Sequence, residues 1–321
     1  MPTNHPHLPD LWLGVASGLA AAFFSAVSYL VSRHFSLAQA TVGRKGAALR
    51  LLAMAHVLMA VACVPLTWAA WPTASPPARL VTVPLALSAG LYLLGQACLF
   101  AALGRVEASR LAPLLGLKVV MLALIVSFVL GHVLDARQWL AVGLSVAAAA
   151  LLQTGRAAVP PGAFGIMLAC CLCFAISDLW IVRLIDTLQA GAAASGDAIS
   201  RLHAGGLAMT LTYGLCGTLF APLAVGLRPH TRADWAAAAQ YAAAWLLSMV
   251  GLYCCFGLVG AVLGNILQST RGLMSVALGA ALAHLGWHEL EQRVDRAALL
   301  RRLAAALLMT AAIALYVIDL S

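Results

Sequence analysis

Ten long apolar runs, separated by short polar connectors, organise this sequence, near positions 11–33, 47–71, 80–103, 106–130, 136–154, 163–187, 199–225, 236–260, 262–285 and 299–318. Crossing ~30 Å of hydrocarbon as a helix takes about 20 residues, the length of these runs. The connectors hold turn formers, as in PTASPPAR at 72–79, RAAVPPG at 156–162, QAGAAASGD at 189–197 and GLRPHTRAD at 226–234. In lipid a backbone satisfies its hydrogen bonds only within helices or a closed barrel, and barrel strands are about half as long as these runs. The pattern predicts an all-α polytopic membrane protein with ten transmembrane helices. The first run follows MPTNHPHLPD, which has no Lys or Arg, and exceeds the 7–15-residue core of a signal peptide. It reads as a retained span.

The runs repeat. An ungapped offset of 161 lays residues 90–110 on 251–271, matching Gly90, Leu91 and Tyr92 to Gly251, Leu252 and Tyr253. The same offset matches Glu107, Ser109 and Arg110 to Gln268, Thr270 and Arg271. Earlier in each half, an offset of 151 matches Gly14, Phe23, Tyr29 and Val31 to Gly165, Phe174, Trp180 and Val182. Five spans followed by five similar spans insert with opposite orientation, so halves 1–155 and 156–321 are expected to form inverted repeats holding substrate near the midplane between them.

Composition fixes the solvent. Hydrophobic residues make up 63% of the 321, charged residues 9%, and the mean hydropathy is +0.96. Soluble domains carry about 25% charged residues, so soluble enzymes, nucleic-acid-binding domains and disordered chains are excluded. The net charge of +8 comes from cations scattered singly between apolar runs, not clustered as a nucleic-acid footprint would be. Loop and span-end cations divide unevenly, with Arg79, Arg137, Arg183 and Arg201 on the poorer side. By the positive-inside rule that division places both termini outside the cytoplasm. Cys170 and Cys173 form a CxxC inside an apolar run with no histidine or second pair nearby, which reads as packing, not a metal site.

Ten spans as five plus five, with GHVLDARQWLAVGL at 131–144 and GWHELEQRVDRAALL at 286–300, resemble the drug/metabolite transporter superfamily, in particular the EamA-type permeases. Pro113 is similar to the family's proline early in the fourth span, whereas Gly131-His132 lacks the family's Glu after Gly. The resemblance implies the ten-helix fold, both termini inside, a transport activity and residence in the bacterial cytoplasmic (inner) membrane.

Charges deep in spans are functional hypotheses, since each costs ~2.5–3.5 kcal/mol at the bilayer centre. Lys118 lies near the middle of span four with Arg110 two turns before it, Asp178 in span six and Arg271 in span nine. On span nine, Asn265, Gln268, Arg271/Gly272, Ser275 and Gly279 share one helical face that lipid would not solvate. Asp178 is the expected partner for Arg271, and the deep carboxylate able to carry a proton. Span one offers Ser25, Ser28, Tyr29 and Ser32, and Tyr29 with Trp180 forms candidate aromatic walls. Gln96, His56 and Tyr253 are single polar groups at membrane depth.

The cationic surplus favours a substrate bearing carboxylate or phosphate. The expected function is a secondary transporter exporting a small metabolite, anionic or amino-acid-like, by alternating access. The substrate and membrane lipid are its expected partners. A flippase for a lipid phosphate or lipid-linked sugar is the alternative. A membrane-embedded enzyme ranks third, resting on His284, His288 and Glu289, which lack a third metal ligand. No P-loop or dinucleotide fingerprint occurs, so neither cofactor nor resident metal is expected.

Overall fold

The computed structural model describes residues 8–41, 46–72, 77–103, 112–131, 134–151, 160–227, 230–284 and 296–318, and among them there are helices and turns but no strand. The helices are α1 Leu8–Thr41, α2 Ala47–Ala70, α3 Ala78–Leu103, α4 Leu117–Leu124, α5 Ala136–Leu151, α6 Pro161–Ala194, α7 Arg201–Gly226, α8 Arg232–Ser269, α9 Arg271–His284 and α10 Arg296–Ile318. A 3-10 turn, Ala112–Gly116, leads into α4, and a π turn, Ile125–Val129, follows it. Among the described residues, six stretches are long and apolar enough to cross a membrane: Leu8–Ser32, Leu49–Ala70, Ala78–Leu99, Pro161–Ala194, Arg201–Gly226 and Arg232–Ser275. Leu114–Val129 and Leu303–Val317 are shorter apolar helices.

The stretch Arg232–Ser275 is 44 residues long, about twice the length one crossing needs. It is bent at Gly260, whose φ of 78° and ψ of 171° lie outside the helical region and favour glycine. A Cβ at Gly18 of α1 would stand 3.0 Å from both Cys255 Sγ and Leu267 Cβ. In a straight helix those two residues would be ~18 Å apart. The arms of α8 therefore fold back on each other, and the second continues through Thr270 into α9, where Met274 N–H donates to Thr270 O at 3.0 Å. The break falls where the apolar pattern separates spans eight and nine. The connector expected at 189–197 is instead helical as far as Ala194, because its alanines and Gln189 are strong helix formers. The chain leaves α6 at Gly196, with φ of 86°, while Asp197 N–H reaches back to Ala192 O at 3.0 Å.

Packing ties the two halves together. α1 runs antiparallel to the first arm of α8, from Gln39 Nε2 donating to Asp234 Oδ1 (2.7 Å), past Ser248 Oγ donating to Ala21 O (2.7 Å), to Gly14 against Val259. α6 runs antiparallel to α3, with Ser177 Oγ donating to Ser88 O at 2.8 Å and Phe174 against Tyr92. α2 and α7 cross closely at Gly217 and His56 and are joined further along by His203 Nε2 donating to Ala70 O at 2.7 Å. α5 and α10 share the buried Ala148, Ala305 and Met309. These four are the most extensive helix pairs, and each joins one half to the other. Exchanging α1 with α6, α2 with α7, α3 with α8 and α5 with α10 maps the set onto itself.

Candidate intramembrane binding site

Two cations sit at depth in different surroundings. Lys118 Nζ on α4 lies 2.6 Å from Asp178 Oδ2 on α6, with side-chain exposures of 14% and 7%. Asn265 Nδ2, on the second arm of α8, donates to the same Oδ2 at 2.6 Å and to Ala261 O at 2.8 Å. A buried carboxylate is tolerated when a counter-charge and a hydrogen-bond donor replace its water, and both are supplied here. Phe174, one turn before Asp178 on the same face of α6, puts its ring centroid 5.7 Å from the ammonium. The cluster thus joins α4 of the first half to α6 and α8 of the second.

Arg271 is different. Its guanidinium carbon lies 5.0 Å from the Tyr29 ring centroid on α1, and Nη1 donates to Ser25 Oγ at 3.4 Å. Among the described residues no carboxylate pairs with it. The sequence expectation of an Arg271–Asp178 pair is corrected: Lys118 and Asn265 take that carboxylate. Residues on one face of a helix can meet different neighbours, and span nine presents Asn265 towards α6 and Arg271 towards α1. A guanidinium carries five donors, so among the described residues most of this one's hydrogen-bonding capacity is unspent.

Between the two cations runs a chain of rings. Tyr29 lies 6.4 Å from Trp245, which stacks on Tyr241 at 5.9 Å and donates through Nε1 to the Tyr213 hydroxyl at 3.0 Å. Tyr92 and Tyr253, the tyrosines matched by the repeat offset, both meet Tyr213 edge-on, at 5.7 and 6.5 Å. Tyr92 in turn lies 6.1 Å from Phe174, which closes the path to Lys118. His56 Nδ1 is 2.9 Å from Leu52 O, a carbonyl that can only accept, so Nδ1 carries the hydrogen and Nε2 accepts from the Tyr92 hydroxyl at 3.1 Å. Gln96 lies beside the same hydroxyl.

The remaining candidates are dispersed. Tyr253 is buried beside Thr212 and belongs to the ring chain. Gln268 is buried and Ser275 half-buried on the arm and helix that carry Asn265 and Arg271. Trp180 is half-buried, and no described ring packs on it, so Trp245, not Trp180, faces Tyr29. Glu107, Ser109, Arg110, His288, Glu289 and the side chain of His284 lie outside the described residues. Sequence reasoning missed Phe174, Tyr213, Tyr241 and Trp245, since an aromatic inside an apolar run is indistinguishable from core. The Gly-Leu-Tyr match, however, did mark Tyr92 and Tyr253 as twins. Apart from this site, a cavity of about 1000 Å³ opens between α2, α3 and α7, lined by Val64, Trp68, Trp71, Leu85, Thr210 and Thr218 among others, with no charged residue.

Comparison with known proteins agrees with this architecture. No curated protein matches the chain. A crystal structure of a protein 15% identical has a TM-score of 0.57, with 92% of this chain and 95% of that one covered, which shows a shared fold along nearly the whole length. Residues 12–154 match the family model of the EamA-like transporter family. Over that stretch, from Trp12 on α1 to beyond the end of α5, the chain is similar to the EamA-like transporters, a family of the drug/metabolite transporter superfamily.

Proposed function

We propose that this protein is a secondary transporter that exports a small anionic metabolite across the bacterial inner membrane by alternating access. Arg271 receives the anionic group. The observation that carries this reading is a half-buried guanidinium with no carboxylate partner among the described residues, its face on Tyr29 and most of its donors unused. An uncompensated charge at such depth is expensive, and a carboxylate or phosphate would complete it in bidentate fashion. Gln268 and Asn265 precede Arg271 on the same span, and Ser275 follows it by one turn. The family match supports transport as the activity class.

Ten crossings in two inverted halves, 1–155 and 156–321, account for the pairing pattern. Each of the four most extensive pairs joins an odd-numbered to an even-numbered helix, and the three whose direction the contacts fix are antiparallel. Because the strongest pairs cross between halves, the units that rock are mixed bundles. One is α1 with α8 and α9, and its counterpart is α6 with α3 and α4. The Asn265–Asp178 bond spans them. A flippase would need a lateral opening lined with cations, and the groove between α2 and α7 is apolar.

The test is uptake into proteoliposomes over a panel of amino acids, organic anions and cationic drugs. Anions should be transported, and Arg271→Gln should weaken their uptake at least about tenfold, the loss of roughly 1.4 kcal/mol of binding, while folded yield stays near normal. Transport of cations alone, or unchanged anion uptake by Arg271→Gln, would refute the reading.

A further inference from the structure

Each rocking bundle holds one cation against one aromatic ring, built on corresponding helices. In the first, Arg271 of α9 lies over Tyr29 of α1. In the second, Lys118 of α4 lies over Phe174 of α6. Exchanging the halves turns α9 into α4 and α1 into α6, so the two arrangements are counterparts, although the ungapped repeat would have matched Arg110 and Trp180 instead. They differ in one respect. Lys118 already holds an anion, the Asp178 carboxylate, whereas the position 151 before Asp178 is Val27, an apolar residue, and Arg271 has no such occupant among the described residues.

We infer that Lys118 is a second anion-binding position of the carrier and that Asp178 is its tethered occupant, displaced when a carboxylate or phosphate of the substrate takes the ammonium. This rests on the transporter reading above. Three features of the site fit an exchangeable occupant. Both contacts to Asp178 fall on Oδ2, while no described residue donates to Oδ1, so the carboxylate is held from one side. The Phe174 ring retains a favourable face for the ammonium when the carboxylate leaves. And α4, eight residues long, is set between a 3-10 turn and a π turn, whose hydrogen bonding is weaker and which recur at hinges and functional bulges in helices. Within that π turn the Ser127 hydroxyl is buried without a partner, as expected of a segment that repacks. Displacement breaks the ion pair between α4 and α6 and frees Asn265, the link to the opposite bundle, so anion arrival is coupled to release of that contact.

The test uses purified full-length protein in detergent and inorganic phosphate as the probe, with binding read by calorimetry. Asp178→Asn empties the position, so phosphate should half-saturate it at a concentration at least about tenfold below that of the unaltered protein, the ammonium now lacking its internal anion. The gain should vanish in the double variant Asp178→Asn/Lys118→Met. No gain, or a gain that survives in the double variant, overturns the proposal. Arg271→Gln, titrated alongside, reports on the first position separately. A Lys118-dependent gain with normal binding by Arg271→Gln leaves this inference standing and removes the functional reading, and the reverse pattern does the opposite. Should Asp178→Asn fold only when purified in phosphate while the double variant folds without it, the anion is replacing the carboxylate and the inference holds. Failure of Asp178→Asn to fold even in phosphate, or failure of the double variant, makes the pair a structural one and overturns it.

Discussion

The crossing of α2 and α7 admits a sharp test of the packing. A Cβ placed on Gly217 would stand 2.1 Å from His56 O, 2.4 Å from Ala60 Cβ and 3.0 Å from His56 C. Carbon and carbonyl oxygen come no closer than about 3.3 Å even in favourable C–H···O contacts. The His56 carbonyl belongs to the α2 backbone and cannot rotate aside, so Gly217→Ala has to push the helices apart by roughly 1 Å. A gap of that size forfeits a quarter to a half of each dispersion contact along the interface. Those contacts include the stack of His56 on Phe220 at 4.8 Å. Overpacking of this kind costs about 1–3 kcal/mol, and the backbone clash places Gly217→Ala at the upper end. Gly214, one turn earlier, is the control: a Cβ there meets only Val64 Cγ2 at 4.0 Å, an ordinary contact. Gly214→Ala should be neutral or stabilising by up to about 1 kcal/mol, the difference in helix propensity. Reversible unfolding in mixed micelles, followed by tryptophan fluorescence, measures both. Equal midpoints for the two variants would show that the close approach is wrong.

Other substitutions separate buried from exposed interactions. Asp234, 1% exposed, accepts from Thr231 N–H at 2.8 Å and from Gln39, so Asp234→Ala should lower stability by about 2–3 kcal/mol. Thr231→Ala, which removes only the N-cap hydroxyl acceptor of α8, should cost about 1 kcal/mol, and thermal melting that reversed this order would contradict the assignment. Asp186→Asn, breaking the pair with Arg201 in which the side chains are 35% and 46% exposed, should change stability by less than about 1 kcal/mol in the same assay. Trp245→Phe should keep the stack on Tyr241 but lose about 1 kcal/mol with the bond to Tyr213, measured by unfolding in mixed micelles.

The helices were largely legible in the sequence because lipid leaves the backbone few choices. The boundary between spans eight and nine is an example: one glycine in a continuous apolar stretch, and the chain reverses there. Overhangs were less legible. Hydropathy marks where lipid ends, not where the helix ends, and α6 runs on through Gln189 and the alanines beyond it. The deep charges stood out by cost alone, so Lys118, Asp178 and Arg271 were all identified. Their partners were not, since hydropathy does not say which faces oppose. Pairing Asp178 with Arg271 rested on Asp178 being the one deep carboxylate legible in the sequence, whereas the fold brings α4 against α6 and gives that carboxylate to Lys118.

The helices α1 and α6, counterparts in the proposed repeat, are each 34 residues long. At 1.5 Å per residue each measures ~51 Å, so ~20 Å extends past a ~30 Å hydrocarbon layer. In both, the polar end is the C-terminal one, and each is strapped to the start of another helix: Gln39 to Asp234 on α8, and Asp186 to Arg201 on α7. In the inverted arrangement proposed above, the two overhangs would emerge on opposite faces of the membrane. Each is then a lever whose tip amplifies what happens in the interior: a 10° tilt of the buried part would carry the tip about 3–4 Å through water. A spin label or fluorophore near the C-terminal end of α6 would thus read the swing of its bundle from outside the bilayer, with the Lys118–Phe174 position left untouched.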